Sequence, residues 1–209
     1  MTTTVGATAA GSAGDVAAAG VASTLTPAGQ RVLAAACDLF YAEGIHAVGV
    51  DAIAAAAGVT KKTLYDRFGS KDALVALCLR ARDERWRAWL TSYVDTHGSS
   101  PRDRILTVFD GLDAWMAEQN PRGCGFVNAL AELPAPEHPG RAVIREQKEW
   151  LLGYLTSLVK AAGLRRPARV ASALMVLQEG ATIAHATGVP ARPARQAREV
   201  AALLLDQAG

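Results

Sequence analysis

Lys61, Lys62, Arg67 and Lys71 are closely spaced cations, and Thr60, Thr63 and Tyr65 set hydroxyls among them. Side chains of these types can grip a polyanion. Ammonium and guanidinium groups neutralise phosphates, and hydroxyls hydrogen-bond to phosphate oxygens. Asp66 and Asp72 lie in the same stretch and leave it a modest positive excess. The whole chain carries a net charge of only +2. Any attraction for nucleic acid therefore rests on where the charge is placed, not on a global basic field.

These side chains need a rigid support, and the surrounding residues supply one. Leu64 and Phe68, four apart, turn to the inside of a helix over about 61–68, leaving Lys61, Lys62, Thr63, Tyr65 and Arg67 outward. Thr60 is its N-cap candidate, a hydroxyl able to accept an orphan N–H. Upstream, Ala52, Ile53, Ala56 and Ala57 give a second short helix one small apolar face. Gly58 breaks that helix and Val59 plugs the turn. Helix, glycine turn, helix is a helix-turn-helix, whose second helix lies in the DNA major groove. A first helix should start at Thr26-Pro27, show Val32, Leu33, Ala36, Leu39 and Phe40 on one stripe, and end at Gly44. It would be the buttress of a three-helix unit.

Gly58-Val59-Thr60, Thr63-Leu64-Tyr65, Phe68 and Lys71-Asp72-Ala73-Leu74, with Phe40, Gly44 and Ile53-Ala54 upstream, resemble the signature of the TetR/AcrR family of transcriptional regulators. The resemblance is specific from about residue 29 to 79. Beyond that the chain is similar to the family in length and helical layout. It implies a homodimeric repressor, released from a palindromic double-stranded operator by an unknown small-molecule effector. Lys61 and Lys62 are expected nearest base edges, Tyr65, Arg67 and Lys71 at phosphates, and Thr63 at either.

The remaining chain reads as helical throughout. A fourth helix runs from Ser70 to about His97-Gly98, with Leu74, Leu77, Cys78, Ala81, Trp89, Leu90 and Tyr93 apolar. Arg80, Arg82, Asp83, Glu84, Arg85 and Arg87 are assigned to its other face. At about 1.5 Å per residue it can link two domains as one rod. A fifth helix opens at Ser100-Pro101 and breaks at Asn120-Pro121-Arg122-Gly123. A short sixth spans about 125–133, a seventh about 140–162 with Gly163 as its C′ glycine, an eighth starts at Pro167 and closes at Gly188, and a ninth runs from about Pro190 to Gln207. The expected architecture is all-α, about nine helices. Residues 1–25 form a disordered Ala/Gly/Thr-rich tail, 26–72 the DNA-binding domain, and 73–209 a ligand-binding and dimerisation domain.

Polar residues Asn128, Glu132, Gln147, Gln178, Glu179 and His185 stand among apolar ones in the second domain. Buried polar groups are costly unless satisfied, and a ligand pocket is one way to satisfy some of them. The resemblance implies such a pocket. Candidates are Trp115, Met116, Phe126, Asn128, Trp150, Tyr154, Met175 and Gln178, each of which also reads as ordinary core. The last two helices carry Ala171, Ala173, Gly180, Ala181, Ala184 and Ala201. Small faces allow close approach, and the resemblance implies homodimer pairing through these two helices.

Three cysteines, Cys37, Cys78 and Cys124, lack metal-like spacing and suggest free thiols in a reducing cytoplasm. No metal, cofactor or catalytic residue is assigned. Gly-x-Ser-x-Gly, a phosphate-cradling glycine loop and His-Glu-x-x-His are absent, and Cys124 with His138 makes a poor thiol nucleophile because glycines and prolines leave their geometry open. The expectation is a non-enzyme. No apolar run reaches the roughly 20 residues of a membrane span, and Met1 to Ser23 lacks the basic start and apolar block of a signal peptide. The alternatives are a helical ligand-binding protein that does not bind DNA, and a redox sensor acting through Cys124.

Overall fold

The computed structural model describes residues 20–119 and 122–208. Most of the tail, residues 1–19, lies outside the described residues, as do Asn120 and Pro121 of the fifth-helix break. The described residues form nine α-helices and no strand: α1 (Pro27–Glu43), α2 (Val50–Ala57), α3 (Lys61–Phe68), α4 (Lys71–His97), α5 (Pro101–Gln119), α6 (Gly125–Glu132), α7 (Pro139–Ala161), α8 (Pro167–Thr187) and α9 (Pro193–Ala208). Val21–Thr24, read from composition as tail, instead forms a 3-10 turn, and the Val21 N–H donates to Glu84 Oε2 at 3.0 Å.

The helix starts follow local chemistry. Thr26, Thr60 and Ser70 each accept a backbone N–H three residues on, at 3.3, 3.1 and 3.0 Å. Each satisfies a donor that the helix itself cannot. Gly58 ends α2 at φ +63°, where a Cβ is disfavoured. Its N–H reaches Ala55 O and that of Val59 reaches Ala54 O, closing a Schellman turn at 3.1 and 3.0 Å. Gly163 and Leu164 repeat the arrangement after α7.

Apolar packing falls into two cores that share α4 and α7. One gathers α1, α2, α3, the start of α4, α6 and the start of α7 around Val32, Ile53, Leu64, Leu74 and Phe126. The other gathers the rest of α4 with α5, α7, α8 and α9 around Leu90, Phe109, Leu151, Leu155 and Leu174. The packing thus divides along α4 and α7, and the buried residues of α6 join the core of the three-helix unit. A rod common to both cores can carry a displacement between them.

Three expectations are corrected. The buried face of α2 is Ile53, Ala54 and Ala57, with Ala52 and Ala56 exposed. With five alanines among its eight residues, α2 holds too little periodicity to fix the rotation. Helix α9 starts at Pro193 rather than near Pro190, with Ala194, Ala197, Ala201 and Leu205 buried and Val200 exposed. Asp83 is buried rather than on a solvated face, in an ion pair with Arg87 one turn on, and Trp86 is buried beside it.

Burial raises the Asp83 carboxyl above its ordinary value of 3.8, against the lowering effect of Arg87. The folded state therefore favours the protonated form. The contribution of Asp83 to stability is fully present below about its unfolded value and is lost as pH rises through the folded one. We expect Asp83→Asn to remove this decline. Urea midpoints of the two proteins across acidic pH should change in relative order, the wild type losing ground as pH rises. A constant difference would mean that Asp83 does not titrate in this way.

Candidate nucleic-acid interface and helical-bundle cleft

Helix α3 is short and mostly outward. Leu64 and Phe68 anchor it, and Lys61, Lys62, Tyr65 and Arg67 are exposed. Thr60 caps it, and its hydroxyl also hydrogen-bonds to that of Thr63 at 2.9 Å. Lys61 pairs with Asp51 of α2 at 3.1 Å, and Lys62 with Asp66 at 2.6 Å. Exposed pairs of this kind contribute little to stability, so both ammonium groups can exchange their carboxylates for phosphates. Arg67 donates to Thr26 Oγ1 at 2.6 Å, tying α3 to the start of α1. Lys71 begins α4, with its ammonium 5.9 Å from the Phe40 ring centre. All seven sequence-predicted residues therefore fall on one helix, its cap and the next helix start. Sequence reasoning missed Arg31, which donates to Ala57 O at 3.2 Å and so helps satisfy the end of α2.

Between this unit and the bundle lies a cavity of about 340 Å³, walled by α1, α4 and α6. The loop before α6 is fastened to α1 beside it. Arg122 donates to Tyr41 O at 2.8 Å and to Ala42 O, and Tyr41 Oη donates to Gly123 O at 3.1 Å. Glu132, at the end of α6, accepts the His46 N–H at 2.8 Å. These bonds join the three-helix unit to α6 by a route other than α4. Arg82 faces the cavity 4.5 Å from the Tyr41 ring centre, and burial lowers its guanidinium from its ordinary value. Asn128 lines this cavity, with its Nδ2 donating to Arg122 O at 3.0 Å, and so stands apart from the other pocket candidates.

A second, tighter cleft of about 30 Å³ lies among α4–α8. Of the sequence-predicted pocket residues it is lined by Trp115, Phe126 and Gln178. Trp86 and Trp115 meet edge to face at 5.2 Å there. Met116 is instead fully buried in the bundle core and Met175 packs half-buried at its margin. Trp150 and Tyr154 stack on each other at 5.3 Å, away from the cleft. Burial raises the Tyr154 phenol. Gln147, Lys148 and Glu179 also line the cleft, and Lys148 Nζ bonds both Glu179 oxygens at 2.7 and 2.9 Å. Gln147 and Glu179 are polar residues in apolar stripes, a signal visible in sequence; Trp86 is hidden there by the run of charges before it.

The short capped helix with its outward cations, set across a glycine turn from α2 and carried on a helical bundle, defines a helix-turn-helix DNA-binding regulator. The model for bacterial regulatory proteins of the tetR family matches residues 32–78. A TetR-family transcriptional regulator from Streptomyces coelicolor is 31% identical, with a TM-score of 0.79 over 87% of this chain and 95% of that one. A TetR-type transcriptional regulator from Streptomyces avermitilis is 30% identical, with a TM-score of 0.72 over 88% and 98%. One from Legionella pneumophila shares the fold at 17% identity, with a TM-score of 0.71 over 87% and 98%. A search of curated proteins returned no significant match. The chain belongs to the TetR family of transcriptional regulators.

Proposed function

We propose that this TetR-family regulator is a homodimeric repressor that binds a palindromic operator and leaves it when a small molecule enters its bundle. The observation that carries the DNA-binding part is the outer face of α3, where cations and hydroxyls are exposed and tied only by surface contacts. In this reading residues 26–72 bind DNA and 73–209 bind ligand and pair. Lys61 and Lys62 at the start of the recognition helix approach base edges, and Tyr65, Arg67 and Lys71 hold phosphates. Thr63 serves either, and Thr60 fixes the helix start.

Pairing is supported by the outer face of α8 and α9. Val176, Ile183, Val189, Val200 and Leu203 lie exposed there or on the loop between them, and make up most of the exposed large hydrophobic residues among those described. Large apolar side chains exposed on two helices that pack together mark an interaction surface. Two-fold pairing through it would present two recognition helices to half-sites about 34–36 Å apart, or a multiple of that distance. Ligand entry would shift α4 and, through Arg122 and Glu132, α6 against α1. The effector must bind the DNA-free form more tightly, and a coupling of about 1–3 kcal/mol is the usual scale.

Binding to duplex DNA followed by anisotropy over a salt series tests the phosphate assignments. Arg67→Ala should weaken binding about equally on all sequences and reduce the salt slope by about one. A change in preferred sequence with an unchanged slope would place Arg67 at a base instead.

A further inference from the structure

The tight cleft contains an unusual pair of groups. Gln147 on α7 and Gln178 on α8 are only 3% and 4% exposed, and the side-chain oxygen of each has no hydrogen-bond partner. Neither side-chain amide makes a hydrogen bond among the described residues. Both line the same cleft. The next residue on each helix, Lys148 and Glu179, closes an ion pair between α7 and α8, so the two helices that carry the glutamines are joined at this level. A buried amide left without a partner is destabilising, and natural interiors rarely retain one without a use for it. Around the two amides the walls are Trp86, Leu112, Trp115 and Phe126.

We propose that this cleft holds a neutral aromatic ligand bearing a carboxamide-like donor–acceptor pair, gripped by the side-chain amides of Gln147 and Gln178. The proposal rests on the reading of the bundle as ligand-binding and adds the chemistry of the ligand. Whichever way each amide is turned, it presents a carbonyl oxygen and an NH2 together. The complement is a group that also donates and accepts, such as an amide, lactam or imide. The aromatic walls suit a flat body, which rings flank face to edge. A carboxylate is disfavoured because both cations lining the cleft are already engaged, Lys148 by Glu179 and Arg82 by the Gln119 carbonyl at 3.4 Å and the Tyr41 ring, so an anion entering it would lose its hydration without an unengaged cation to receive it. The space present, about 30 Å³, is of the size of a bound water rather than a ring. Entry of the ring therefore requires the cleft to widen, and the half-buried Lys148–Glu179 pair at its edge is positioned to yield.

The test is titration calorimetry of the full chain with benzamide, benzoate and toluene, which are similar in size and differ in polarity and charge. Small probes bind weakly, so dissociation constants near the millimolar range are expected. Benzamide should bind at least about tenfold more tightly than benzoate. Gln178→Leu and Gln147→Leu should each weaken benzamide about tenfold while leaving toluene unchanged or tighter. Both variants should melt no lower than the wild type, because each removes an unpartnered buried amide; a purely structural glutamine would lower the melting temperature. Tighter binding of benzoate, no saturable binding of benzamide, or benzamide affinity indifferent to both substitutions would overturn the proposal. The effect of benzamide on a DNA complex is read separately. Binding as expected with DNA affinity unaltered would count against ligand release and leave the ligand chemistry standing.

Discussion

Leu203→Glu should convert the proposed dimer to a monomer and lower its affinity for the proposed palindromic operator on the order of 100-fold. Leu203 is 64% exposed on α9, three residues from the exposed Val200, and Val176 is 71% exposed on α8. Among the described residues nothing covers Leu203, Val200 and Val176, whereas the opposite side of α9, through Ala194, Ala197, Ala201 and Leu205, is fully packed. A carboxylate at position 203 costs the folded monomer little and would be desolvated in a dimer. The loss of DNA affinity follows from effective concentration, since a dimer delivers its second recognition helix to the second half-site without a second encounter, a gain of about 10²–10⁴. Sedimentation would report the monomer and anisotropy the lost affinity. A Leu203→Glu protein that remains dimeric would move the pairing surface off this face of α9.

Leu64→Ala should destabilise the three-helix unit by about 3 kcal/mol, within the range of about 2–5 kcal/mol for truncating a buried leucine. Helix α3 contains eight residues and only Leu64 and Phe68 are buried. Leu64 is wholly inaccessible, in a core shared with Val32, Ile53 and Leu74. With half of its anchoring removed, the recognition helix loses its fixed angle to α2. DNA affinity should fall although no phosphate-contacting group has changed. Lys62→Ala, which breaks only the exposed pair to Asp66, is the matched control. It should leave the urea midpoint nearly unchanged while weakening DNA binding. A Leu64→Ala protein with unaltered midpoint would mean that α3 is held by contacts other than its two buried side chains.

Much of the architecture is legible in the sequence because its punctuation is local. Thr26-Pro27, Gly58, Thr60, Ser70 and Gly163 act on their own or adjacent turns, and each marks a boundary that the structure repeats. The outward set on α3 is legible for the same reason, since Leu64 and Phe68 alone fix the rotation of so short a helix. What was hidden depends on partners distant in the chain. The rotation of α2 could not be read from alanines that resemble one another. Asp83 and Trp86 follow charged residues and look solvated until α7 and α5 are set against α4. The fastening of Arg122 and Tyr41 joins residues 81 apart in sequence, and the Gln147–Gln178 pair exists only when α7 and α8 are side by side. Pocket candidates chosen by residue type scattered accordingly: Trp115, Phe126 and Gln178 share one cleft, Asn128 lines another cavity, and Met116 fills the core.

The central claim is sequence-specific DNA recognition by a two-fold dimer. Selection of random duplex DNA on this 209-residue chain at fixed salt, followed by sequencing, tests it most directly. The account predicts an inverted repeat whose half-sites are spaced by about one helical turn or a multiple of it. Enrichment of a single unrepeated site, or no enrichment at all, would contradict it.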